Sequence, residues 1–208
     1  MSEATASDVP AITEETRQAL IRRGLFLEYI TLGWNVVGSV IVLVAALAAR
    51  SVALVGFGLD SLIEIFASVI VVWELTGAGG TDRERKAVRL IGIAFFCLAL
   101  YILGQSTYTL ISRSHPGASP GGIAWLSLTL GAMLLLAWGK KTTGERIHNP
   151  VLITEGRVTL IDALLAAAVL IGLILNAAFG WWWADPLAGL VIVYYGLKEG
   201  LAAIRGEA

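Results

Sequence analysis

Apolar positions along the chain fall into six blocks, separated by short polar or Gly/Pro-rich breaks. A hydrocarbon layer of ~30 Å takes about 20 helical residues to cross. A polar lead-in ending at Arg22-Arg23 precedes a first block over 24–49, closed by Arg50-Ser51. The second block runs over 52–73 and meets a glycine-rich, charged loop at 76–86. The third covers 87–112, and Pro116 and Pro120 with their glycines break the chain over 113–122. A fourth block at 123–138 ends in a basic loop at 139–149, and Pro150 suits the first turn of a fifth helix over 151–179. A turn at 180–186, which places Asp185 as helix-six N-cap, leads to the sixth at 186–204. The pattern predicts an all-α polytopic membrane protein, a six-helix bundle. Residues 1–21 form an N-terminal tail and 22–206 one transmembrane domain. The chain stops at Ala208, so no C-terminal domain is expected.

Composition supports this. Hydrophobic residues make up 57% and charged residues 15%, against ~25% charged in soluble domains, and mean hydropathy is +0.77. A net charge of −1 offers no field for nucleic acid. The single cysteine, Cys97, excludes an intramolecular disulfide and reads as a small apolar filler; His115 and His148 fall in breaks. The start of the chain lacks the basic and apolar regions of a signal peptide. With six spans, twelve Lys/Arg fall on the side of the termini and two, Arg50 and Arg113, on the other. That asymmetry predicts both termini in the cytoplasm, in an inner or plasma membrane.

Against this apolar background the acids stand out. Asp60 and Glu64, four apart, share one face of the second helix. A carboxylate at the bilayer centre costs roughly 2.5–3.5 kcal/mol on insertion scales, so it needs a partner. At 1.5 Å per residue, Asp60 and Glu64 lie roughly 12 and 18 Å from the outer end of their helix, and Asp162 roughly 16 Å along the fifth from the other side. No Lys or Arg is expected at that depth, which leaves protonation, mutual hydrogen bonding or a bound cation. Polar stripes at helical spacing complete an acid-lined interior: Glu28, Thr31, Asn35 and Ser39; Tyr101, Gln105 and Tyr108; Glu155, Thr159 and Asp162. Glu28 and Glu155, nearer the cytoplasm, are placed to snorkel or to pair with Arg22 and Arg157.

Three segments carry a family resemblance. Arg50-Ser-Val-Ala-Leu-Val-Gly-Phe-Gly-Leu-Asp-Ser-Leu-Ile-Glu64, Thr154-Glu-Gly-Arg-Val-Thr-Leu-Ile-Asp162 and Ala184-Asp-Pro-Leu-Ala-Gly189 resemble helices two, five and six of the cation diffusion facilitator (cation efflux) family. The resemblance implies a homodimeric secondary transporter that exports a divalent metal by proton antiport and alternating access. It gives Asp60, Glu64 and Asp162 the role of metal ligands, with Asn35, Thr159, Glu155 and Glu28 as auxiliary candidates. Zinc carriers of the family commonly have histidine four residues before the helix-five aspartate, where this chain has Val158. An all-oxygen site favours harder ions among Mn²⁺, Fe²⁺, Co²⁺, Mg²⁺ and Zn²⁺ as cargo. No cofactor is expected. An enzyme is not expected either, since no histidine or lysine is placed at the acids' depth. The competing reading is a transport-defective homologue acting as a membrane assembly partner, with Val158 marking the lost site.

Overall fold

The computed structural model describes residues 13–75 and 81–205; the tail up to residue 12, residues 76–80 of the expected loop and residues 206–208 lie outside the described residues. The described residues form six helices, α1 (Glu14–Ala49), α2 (Val52–Leu75), α3 (Thr81–Ser112), α4 (Pro120–Ile147), α5 (Pro150–Phe179) and α6 (Ala184–Arg205), with no strand among them. Within the described residues, four stretches are long and apolar enough to cross a membrane: Glu14–Ala49, Gly92–Ser112, Pro120–Ile147 and Glu155–Phe179.

Local chemistry sets the ends. Thr13 caps α1 by accepting from the Thr16 N–H at 3.3 Å, and Arg50 closes it in the left-handed region. Ser119 and Asn149 cap α4 and α5, each with proline in the first turn, and Gly180 closes α5 at φ 67°. The basic stretch expected as a loop at 139–149 is instead the last turns of α4, which continues to Ile147 and stops at His148. Lys, Thr, Glu and Arg are all compatible with helix, and the first breaking signal is Asn149-Pro150.

One end of the bundle gathers the C-termini of α1, α3 and α5 with the N-termini of α2, α4 and α6. The Gly117 N–H donates to Ala49 O at 2.7 Å, and Asn176 Nδ2 donates to Pro116 O at 2.9 Å. Asp185 strengthens this end in an unexpected way. Rather than capping its own helix, it is fully buried and accepts from the Ser51 hydroxyl and from the N–H groups of Val52 (3.0 Å) and Ala53 (3.4 Å). It therefore caps α2 from α6, because the α2 N-terminus has orphan donors and no capping side chain of its own beyond Ser51.

The apolar core fills this distal half. Val42 and Ala46 of α1, Leu54 and Phe57 of α2, Ile102 of α3, Leu126 of α4, Val169 and Leu173 of α5 and Ile192 of α6 are all essentially inaccessible. Small residues permit the close approaches that membrane helices rely on. A Cβ on Gly156 of α5 would stand 2.9 Å from the Lys141 backbone nitrogen and 3.2 Å from Ala137 O of α4. Cys97 is exposed on α3 and fills no gap in the core.

Candidate functional site

Toward the end that carries both termini, the buried positions turn polar. Asp60, Glu64, Glu28, Glu155, Asp162, Asn35, Thr159 and Lys140 are all buried. Each lies on the stripe that buries apolar side chains nearer the distal end, so the same helical periodicity that builds the core aims these groups inward.

Two clusters share Glu64 as their boundary. The first surrounds a small cavity between α2, α3, α5 and α6, lined by Asp60, Glu64, Asp162, Val158, Tyr195 and Glu199 among others. Its volume of about 20 Å³ fits one water or one bare ion and excludes a hydrated ion. Among the described residues no donor reaches either oxygen of Glu64 or of Asp162 with good hydrogen-bond geometry, and both residues are only 4% exposed. Asn35 of α1 and Asp162 of α5 are the polar neighbours of Glu64. Among the described residues, no three His, Cys, Asp or Glu side chains converge closely enough to enclose a metal ion. The acids line the cavity without closing on its centre. The structure thus brings Asp60, Glu64 and Asp162 to one cavity.

The second cluster lies between α1, α4 and α5. Lys140, fully buried, places Nζ 3.1 Å from Glu28 Oε2, 3.1 Å from Glu155 Oε1 and 3.0 Å from Thr159 Oγ1. Ser68 of α2 adds a 3.4 Å donation to Glu155 Oε1. This corrects two expectations. A lysine does stand within electrostatic reach of Glu64 and Asp162. The partner of Glu28 and Glu155 is that lysine, while Arg22 and Arg157 are exposed. Thr159 accordingly serves the ammonium.

The third helix contributes differently from its expected stripe. Tyr101, Gln105 and Tyr108 are exposed, and α3 turns Leu98, Ile102, Ser106 and Thr109 inward. Thr31 and Ser39 are buried but donate to carbonyls of their own helix, Leu27 O and Val36 O.

Two residues escaped the sequence reading, and both carried a signal. Lys140 continues the buried run Leu126, Met133, Ala137 at helical spacing, a pattern cut short by ending the fourth helix at residue 138. Glu199 follows Ile192 and Tyr195 on the inward stripe of α6.

Comparison with known proteins bears on this arrangement. The family model of the cation efflux transmembrane domain matches residues 87–207. Transmembrane protein 163 of Xenopus laevis is 23% identical over 186 residues, covering 85% of this chain and 66% of the relative. Magnetosome protein MamB of Magnetospira sp. (strain QH-2) is 24% identical over 177 residues, covering 78% and 60%. The cadmium, cobalt and zinc/H(+)-K(+) antiporter of Bacillus subtilis is 30% identical over 120 residues, covering 56% and 37%. The chain spans between about a third and two thirds of the length of these relatives.

Proposed function

The chain belongs to the cation efflux family, an integral membrane family, and from that premise we propose that it is a secondary transporter exporting a divalent metal cation from the cytoplasm. The observation that carries the reading is the cavity between α2 and α5, where buried Glu64 and Asp162 present four oxygens with no well-formed hydrogen bond among the described residues. Buried polar groups without partners are costly, and a cation is the partner that carboxylates on two helices share most readily.

In this reading Asp60, Glu64 and Asp162 are the metal ligands. Glu199, lining the same cavity, adds a fourth carboxylate, and Val158, also in its lining, stands where zinc carriers have nitrogen. Oxygen donors suit Mn²⁺, Mg²⁺ or Fe²⁺ better than zinc. The packed distal core and the Asp185 clasp close the far side, so the form described is the one closed to the outside, with the termini and the Lys/Arg-rich ends in the cytoplasm. Alternating access then requires the distal contacts to part while the acid layer closes. Protons arriving from outside compete for the same carboxylate oxygens as the metal, which couples export to proton uptake. The resemblance of a Bacillus subtilis relative named as a proton-coupled antiporter supports that coupling. A homodimer follows from the family resemblance.

The test is purified protein in proteoliposomes under an imposed pH gradient, with Mn²⁺, Fe²⁺, Co²⁺, Zn²⁺ and Mg²⁺ supplied in turn and a trapped pH indicator. Metal flux with opposite proton movement, and Mn²⁺ preferred over Zn²⁺, is expected. Absence of metal-dependent flux for every ion would overturn the reading in favour of a non-transporting membrane partner.

A further inference from the structure

The surroundings of Lys140 have the form of a cation site already filled. An ammonium donates three hydrogen bonds and accepts none. Here Glu155 Oε1 and Thr159 Oγ1 of α5 accept from it, Glu28 Oε2 of α1 pairs with it at 3.1 Å, and no part of the side chain reaches solvent. Glu28 is also fully buried; among the described residues neither of its oxygens accepts a hydrogen bond, and Oε1 has no ion-pair partner either. Two carboxylates, a hydroxyl and a spare carboxylate oxygen form a donor set that hard divalent ions use.

The lysine reaches this position from α4, the helix packed on α5 through Gly156. Glu155 lies one residue before that contact and two helical turns from Asp162, roughly 10 Å along the axis toward the terminal end. Glu64 lies between the two clusters, lining the cavity on one side and within electrostatic reach of Lys140 on the other. A cation moving from the terminal end to the cavity alongside α5 would meet Glu28 and Glu155 first.

We propose that Glu28, Glu155 and Thr159 form a second cation position on the cytoplasmic side of the transport site, held by the Lys140 ammonium in this form and taken by the divalent cargo when Lys140 withdraws. The proposal rests on the transport reading above for the direction of passage only. Lys140 then acts as a tethered competitor of the cargo. It keeps the position neutralised between cycles, and it makes the incoming ion displace a charge before reaching Glu64 and Asp162.

Equilibrium Mn²⁺ binding to purified protein tests this by stoichiometry. Wild type is expected to hold one saturable ion per chain, Lys140→Met two, and Lys140→Met with Glu28→Gln one again. One ion in both wild type and Lys140→Met overturns the second position and leaves the transport site standing. None in wild type but one in Lys140→Met upholds the second position while removing support from the transport site. None in either overturns both. Should Lys140→Met fail to fold, Lys140→Gln, which leaves the two carboxylates a neutral donor, carries the same count: one more ion than wild type upholds the second position, and the wild-type count overturns it.

Discussion

At the scale of single residues, the site contrasts acids with partners and acids without. Glu28 and Glu155 share an ammonium, whereas Glu64 and Asp162 accept no well-formed hydrogen bond among the described residues. The two kinds respond differently to substitution. Lys140→Met strands two buried carboxylates and is expected to cost about 3–5 kcal/mol, read as a lower melting temperature in detergent. Adding Glu28→Gln and Glu155→Gln removes the stranded charges and should recover most of that loss. If the triple variant melts no higher than the single one, the ion pairs are not what the lysine satisfies. Val158 lines the cavity, so Val158→His introduces a nitrogen donor beside Asp162. The expected result is a flux preference shifted toward Zn²⁺ over Mn²⁺, and an unchanged preference shows that position 158 does not face the cargo. That Asp60 and Glu64 are buried together was legible in the sequence because acids inside an apolar run are costly unless they turn inward to a partner. Lys140 was not, because a lysine after an apolar block looks like a snorkelling or loop residue. Only its register with Met133 and Ala137 says otherwise.

At the scale of helices, Asp185 is the clearest case of a residue whose role lies on another element. Its sequence context, one residue before Pro186, is that of a local cap, and capping α2 from α6 becomes visible only when the two N-termini are brought together. Asp185→Ala leaves the Ser51 hydroxyl and the first N–H groups of α2 unsatisfied, an expected loss of about 2 kcal/mol. Asp185→Asn keeps an acceptor and should lose less; equal losses would mean that charge rather than hydrogen bonding holds the clasp. The α4–α5 contact gives a second measure. Gly156→Val drives a branched side chain into the α4 backbone and is expected to destabilise by about 1–3 kcal/mol. A neutral melting temperature would show that the helices are free to separate there. Helix ends marked by Pro120, Pro150 and Gly180 were readable from residue type. The end of α4 is not, since a charged run reads as a loop although the helix continues through it.

At the scale of the whole molecule, polarity is divided along the bundle axis. An apolar core and the Asp185 clasp occupy one half, and five buried carboxylates with one buried ammonium occupy the other. Hydropathy alone predicted the all-helical bundle, while the exposed Tyr101, Gln105 and Tyr108 show its limit. Spacing tells which residues share a face of α3, but not whether that face turns inward. The division fits a carrier sealed at one end and loaded from the other, and its centre is the carboxylate cavity. The most direct test is Mn²⁺ flux into proteoliposomes by wild type, Glu64→Gln and Asp162→Asn at matched reconstitution. Saturable flux by wild type, reduced about 100-fold or more in each variant, is the predicted result. Equal flux in all three would show that the cation crosses elsewhere.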